Sequence, residues 1–146
     1  MTIDESAPVV ARGSIDNETD PARVWALTSG IEAWPSWNPD VKWARLDGDL
    51  AVGSAFRWKA GPGTIRSTLP RVDEPASPAW TGTTLGIHAV HVWEIEHADG
   101  GARVRTEESW RGFLLRLLRS ATTRSLRTAI DRGLGALKSA AEKPSA

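Results

Sequence analysis

The chain has 146 residues, with 18 Lys+Arg against 18 Asp+Glu, eight Trp, two Phe, no Tyr and no Cys. That length suits one domain burying roughly 68–70% of its unfolded surface, without help from disulfides or metal. The lack of cysteine excludes a disulfide scaffold, a thiolate zinc site, an iron–sulfur cluster and cysteine catalysis, and the neutral balance argues against a dedicated nucleic-acid binder.

The opening residues Met1-Thr2-Ile3-Asp4-Glu5-Ser6 lack the basic-then-apolar order of a signal peptide, and no run approaches a membrane span. A cytoplasmic domain over residues 8–142 is expected, with 1–7 and 143–146 as flexible termini. Val9 to Ile15 is β-prone. Asp20-Pro21 then starts a short helix, since Asp caps free N–H groups and Pro fits the first helical position. Gly30 ends it. A second short helical piece covers Ile31 to Trp34, and the two prolines of Trp34-Pro35-Ser36-Trp37-Asn38-Pro39 stop it.

From Val41 the period changes to two. Strands are expected over Val41–Leu46, Ser54–Ala60, Thr64–Val72, Ala79–Thr84, Ile87–Glu96 and Ala102–Trp110, with turns at Asp47-Gly48-Asp49, Gly61-Pro62-Gly63 and Asp99-Gly100-Gly101. Short connections without intervening helices make the sheet antiparallel. The first strand, separated by the two helices, must return to a sheet edge. After Gly112 apolar residues from Leu114 to Ala141 recur at three- and four-residue steps, predicting one long helix with Arg116, Arg119, Arg124 and Arg127 between them. Gly133 and Gly135 within it imply close packing or a kink. The basic face reads as solvated, or as a surface for anionic lipid or an acidic partner. A bent sheet wrapped around the helix would cover both apolar faces.

Strand alternation assigns the faces. Phe56, Trp58, His91, Trp93, Ile95, Thr106, Glu108 and Trp110 point inward, and Ser67 shares the inner side of its strand. Aromatic walls with a few placed polar groups describe a ligand pocket, although each Trp equally suits core packing. His91 reads either as a hydrogen-bonded core histidine or as a site residue. Glu108 is an ion-pair partner for a helix arginine, an acceptor for an indole N–H, or an acid/base. Trp34, Trp37 and the Gly61-Pro62-Gly63 hairpin are candidates for the mouth, while the faces of Trp43 and Trp80 stay open. The three histidines, His88, His91 and His97, have no metal-ligand spacing, so no metal or cofactor is expected.

Ile15-Asp16 with Pro21-Ala22-Arg23-Val24-Trp25, Trp34-Pro35-Ser36-Trp37-Asn38-Pro39, Gly53 to Trp58, Trp80-Thr81-Gly82, His91-Val92-Trp93 and Glu107 to Gly112 carry a family resemblance. The chain resembles the superfamily of START, polyketide-cyclase and birch-pollen-allergen-like (SRPBCC) domains, in particular its bacterial polyketide cyclase/dehydrase-like branch, from about residue 9 to 142. The resemblance implies an α+β helix-grip fold: a seven-stranded curved antiparallel sheet around a long C-terminal helix, plus two short helices after strand 1. It also implies a cavity for a lipid, polyketide or other hydrophobic molecule. Iron–sulfur oxygenases of the same fold need cysteine ligands that this chain lacks.

The expected function is binding or transport of a small hydrophobic, aromatic or polycyclic ligand. Phe56, Trp58, Ser67, Trp93, Ile95, Thr106, Trp110 and Trp37 would form the ligand site. The alternative is a metal-free cyclase or dehydratase with Glu108 or His91 as general acid/base. A protein-interaction module is the third reading. A monomer or homodimer is expected, with no nucleic-acid partner and no integral membrane segment.

Overall fold

The computed structural model describes residues 2–73 and 77–143. Seven strands form one antiparallel sheet: β1 (Val9–Asn17), β2 (Trp43–Leu46), β3 (Ala55–Lys59), β4 (Thr64–Asp73), β5 (Ser77–Thr84), β6 (Ile87–Ala98) and β7 (Gly101–Arg111). Their order is β1-β7-β6-β5-β4-β3-β2, so β1 returns to the edge beside β7, as its separation by helices requires. Helix α1 (Pro21–Ser29) begins where Asp20 Oδ1 accepts the Ala22 N–H at 2.8 Å. A 3₁₀ turn over Ile31–Ser36 follows, and helix α2 (Arg119–Glu142) lies across the concave face. This is the helix-grip fold.

Register converts alternation into geometry. Trp80, His91, Glu108 and Ala11 are successive cross-strand partners, and so are Trp93, Thr106 and Gly13. Residues paired in this way share a face, so both rows project toward α2. A bulge in β4 between Thr68 and Arg71, over Leu69 and Pro70, breaks the register against β5 and adds bend and twist to the sheet. The core holds Val9, Val24, Phe56, Val104, Leu134 and Leu137, all essentially without exposure.

The helix packs tightly on β1 at Gly13. A Cβ on Gly13 would lie 2.7 Å from Ile130 Cγ2 and 2.8 Å from Leu134 Cδ1, so only glycine admits these side chains so close to β1. Gly133 and Gly135 behave differently. A Cβ on Gly133 would meet only Asn38 Nδ2, at 3.9 Å, and one on Gly135 would meet nothing. Neither close packing nor contact with the sheet demands them; Gly133 lies against open space.

Three expectations need correction. The long helix begins at Arg119, because Gly112 is extended and Phe113–Arg116 form a separate 3₁₀ turn. Only Leu115 of that segment is buried. Residues 2–7, expected as a loose lead-in, are fastened to the convex face instead. Ile3 packs with Ala79 and Val92, the Asp4 N–H donates to Ser109 Oγ at 3.1 Å, and Arg111 pairs with the Asp4 carboxylate. Lys143 is described, while 144–146 and Met1 lie outside the described residues. Third, β2 starts at Trp43; Lys42 contributes only its N–H to the Lys59 carbonyl at 2.8 Å.

One turn carries strain. Leu85 and Gly86 join β5 to β6 with φ of 48° and 76°, a left-handed pair in which glycine or asparagine is the usual choice. Leucine there costs about 1–2 kcal/mol of backbone energy. Its side chain is exposed and so gains no burial in return.

Candidate functional site

Between the sheet, α2 and the loop after the 3₁₀ turn lies a cavity of two lobes that share walls. A lobe of about 130 Å³ sits beneath the loop, against Trp37, Asn38, Ile130 and Gly133. A larger one of about 580 Å³ opens between the Gly61-Pro62 hairpin, Ile87, Trp110 and Ser125. Trp58, Trp80, His91, Glu108 and Ala129 line both. The cavity exists because α2 is held down at Gly13 while small residues, Ser125, Ala129 and Gly133, occur every fourth position on its cavity-facing side.

Its walls are interlocked rings. Trp34 meets Trp58 edge-on with centroids 5.3 Å apart, and Trp80 at 5.1 Å. Trp80 continues to Trp93 at 5.8 Å, and His91 stacks on Trp93 at 4.9 Å. Such offset and edge contacts stabilise beyond simple burial and leave the rings little freedom to collapse into the void. Two of the indoles are tied by hydrogen bonds as well: Trp34 Nε1–H donates to the Thr28 carbonyl at 3.1 Å, and Trp58 Nε1–H to Ser67 Oγ at 3.0 Å.

The polar groups form a second network. The Thr106 hydroxyl lies 3.2 Å from the Val92 carbonyl and 2.6 Å from His91 Nε2; with its hydrogen on the carbonyl, its oxygen accepts the Nε2–H. In the neutral ring Nδ1 is then bare, and it faces Glu108 Oε2 at 3.6 Å. That distance is too long for a direct hydrogen bond, and both atoms are acceptors. Glu108 Oε1 accepts Trp110 Nε1–H at 3.0 Å. Burial holds the His91 imidazole below its ordinary basicity, and the neighbouring Glu108 opposes this only partly. Indole N–H groups of Trp37 and Trp93, on residues lining the small lobe, are buried without an acceptor among the described residues. At the rim, Asp40 on the loop pairs with Arg132 of α2 at 2.7 Å.

Seven of the ten residues singled out from sequence line this cavity: Trp37, Trp58, His91, Trp93, Thr106, Glu108 and Trp110. Phe56 and Ile95 do not. They are buried in the core, Phe56 edge-on behind Trp34 and Trp80, and Ile95 opposite Val104. Ser67 acts one step removed, by holding the Trp58 indole. Trp34, expected at the mouth, is an inner wall at only 4% exposure. Trp80, unassigned from sequence, stands at the centre of the aromatic cluster. Trp43 lies on the convex face with the Arg45 guanidinium 5.8 Å from its ring centre. Asp40 and Asn38 had no periodic signal to mark them, because they sit on a loop; Ile130 follows the helical period, which does not separate a cavity wall from the core. Among the described residues, no three His, Cys, Asp or Glu side chains are grouped to hold a metal ion, and no helix is long and apolar enough to cross a membrane.

A curved sheet gripping a helix, with an aromatic cavity studded by a few polar groups, defines the class of hydrophobic-ligand domains. The chain belongs to the family described as polyketide cyclase / dehydrase and lipid transport, whose model matches residues 8–142. Solved structures share the fold at low identity. The hypothetical protein jhp0584 from Helicobacter pylori has a TM-score of 0.85 at 15% identity, covering 96% of this chain and 92% of its own. A START superfamily protein from Mycobacterium smegmatis gives 0.78 at 13%, with 91% and 97% covered. The di-domain ARO/CYC BexL of the BE-7585A biosynthetic pathway gives 0.73 at 17%, with 93% of this chain and 50% of that one covered. No curated protein matches the sequence.

Proposed function

We propose that the protein binds a small multi-ring aromatic molecule that carries both a hydroxyl and a carbonyl group. The observation that carries this reading is the facing pair of acceptors, His91 Nδ1 and Glu108 Oε2, inside walls made of indole rings. Two acceptors at 3.6 Å call for a donor between or beside them, and a ligand hydroxyl supplies one. The unpaired N–H groups of Trp37 and Trp93 call for an acceptor, and a carbonyl supplies it. Flat rings suit the remaining surface, because stacking on Trp needs no further polar match.

The test compares 6-acetyl-2-naphthol, whose hydroxyl and carbonyl are too far apart to bond each other, with 2-ethylnaphthalene, similar in size and differing in polar groups, by Trp emission and calorimetry. Two net hydrogen bonds at about 0.5–1.5 kcal/mol each give the hydroxyketone a roughly 5- to 150-fold advantage. Equal affinity for the two would remove the polar part of the proposal. If neither they nor a long-chain fatty acid changed emission or melting temperature, the binding reading would fall.

The same acceptor pair favours a second reading, an aldol-type cyclase. Glu108 would take a proton from the carbon beside a ligand carbonyl, and the electron pair would move onto that oxygen, steadied by an indole N–H. The carbon would then attack a second carbonyl of the same molecule, forming a C–C bond, and the new alkoxide would recover the proton from Glu108. Glu108→Gln should abolish ring closure of a linear aromatic β-polyketone while leaving its affinity within a few-fold.

A further inference from the structure

Of the hydrophobic residues between Gly112 and Arg119, only Leu115 is in the core. Phe113 is 89% exposed, Leu114 62%, Leu117 80% and Leu118 59%. Antiparallel connectivity places this segment at the same end of the sheet as the β3–β4 and β5–β6 turns. Gly112 is in close contact with the β5–β6 turn, since a Cβ there would lie 2.9 Å from the Gly86 carbonyl oxygen. Leu85, 72% exposed in its strained turn, lies against the β3–β4 hairpin, with its Cγ 3.1 Å from where a Gly63 Cβ would be. Five large apolar side chains are thus displayed at one end of the molecule. That end also holds the mouth of the larger lobe, between Gly61, Pro62, Ile87 and Trp110. Leucine in a left-handed turn, exposed, opposes both backbone preference and burial.

Charge at this end is one-sided. Between Glu108 and Asp131 the sequence has no acid and five arginines. Arg111 is engaged by Asp4, whereas Arg116, Arg119, Arg124 and Arg127 are exposed and make no ion pair among the described residues. Asp4 is engaged by Arg111, Glu5 by Arg12 and Asp40 by Arg132, and Asp131, one turn beyond Arg127, makes no ion pair with it. A nearly neutral chain therefore presents an unpaired cationic rim around an apolar cluster.

We infer that this end is a docking surface for an anionic lipid bilayer, with Leu85, Phe113, Leu114, Leu117 and Leu118 entering the headgroup–acyl boundary and the four arginines meeting the headgroups. Apolar side chains inserted shallowly beside arginine are the pattern of interfacial binding. Each cation adds roughly five-fold to affinity for a negatively charged surface. The site goes beyond the ligand reading above: it would bring the cavity mouth to the bilayer, so that a hydrophobic ligand crosses between them with little exposure to water.

The experiment is sedimentation of the full chain with vesicles of phosphatidylcholine and phosphatidylserine at about two to one, and with phosphatidylcholine alone. Binding is expected to the mixed vesicles, at least tenfold weaker to the neutral ones, and falling with added salt as headgroup charges are screened. The surface variant Phe113→Ser/Leu117→Ser should lose about tenfold or more, and Arg116→Gln/Arg119→Gln roughly 25-fold. Both keep the buried Leu115 and should keep the parent melting temperature. Absence of binding, equal binding to both vesicles, or variants that bind like the parent would overturn the proposal. So would a concentration-dependent dimer in sedimentation velocity that Phe113→Ser/Leu117→Ser dissociates, since a second copy would then be what covers this face.

Discussion

Gly13→Ala tests whether the cavity depends on where the helix is seated. The new Cβ would stand 2.7 Å from Ile130 Cγ2 and 2.8 Å from Leu134 Cδ1. Ordinary carbon contacts are about 3.5–4.0 Å, so both side chains must retreat by about 1 Å or carry α2 with them. Both are buried and packed on β1, and overpacking of this kind costs about 1–3 kcal/mol. For a domain of this size that lowers the melting temperature by about 2–12 °C, measurable by circular dichroism. Leu134→Val removes the nearer branch end, so Gly13→Ala/Leu134→Val should be less destabilised than the sum of the single variants. Because Ile130 also lines the small lobe, ligand affinity should shift in Gly13→Ala at temperatures where it remains folded. A melting temperature within about 1 °C of the parent, or strict additivity with Leu134→Val, would refute the seating argument.

Burial lowers the basicity of His91 in the fold, so the unfolded chain binds the proton more readily than the native one. Stability should therefore be complete above an ordinary histidine pKa of about 6.5 and fall as pH drops below it, until the lowered native value is passed. His91→Gln should flatten this limb in urea titrations at pH 5–7. Glu108→Gln removes the negative neighbour that counteracts desolvation; the His91 ring should then titrate still lower by NMR, whereas a rise would contradict the geometry. Phe56→Ala should cost about 3–5 kcal/mol of stability, as a core deletion, because Phe56 supports the cavity walls without lining them. Arg132→Ala, which frees the loop carrying Asp40, should speed ligand release in stopped-flow measurements with little change in melting temperature.

The architecture was largely legible because the period changes twice, from helical to alternating at Val41 and back after Gly112. Alternation also placed His91, Trp93, Thr106 and Glu108 on one face, and cross-strand register then made neighbours of them. What periodicity lacks is depth. Phe56 and Trp58 occupy the same face of β3, yet one is sealed behind Trp34 and the other borders the void. Nothing in spacing separates them, since the difference is set by how far α2 stands from the sheet. Trp34 misled for a related reason: two prolines mark an irregular surface turn, but the 3₁₀ geometry folds that indole beneath it. Leu114, Leu117 and Leu118 obey the helical period and still lie outside the core, because the extended Gly112 redirects the chain before α2 begins.

The chain of rings from Trp58 through Trp34 and Trp80 to Trp93, with centroid steps of 5.3, 5.1 and 5.8 Å, has an optical consequence. Indoles held this close do not absorb and emit as separate chromophores. Their transition dipoles couple, giving split near-ultraviolet dichroism, and excitation migrates along the row before it is emitted. His91 stacks on the last ring, where an imidazolium quenches indole emission and a neutral imidazole does so far less. Protonation of one side chain, or arrival of one molecule against any member of the row, is therefore reported by all four. The row acts as one coupled fluorophore, so that contact with a single ring changes the emission of the whole.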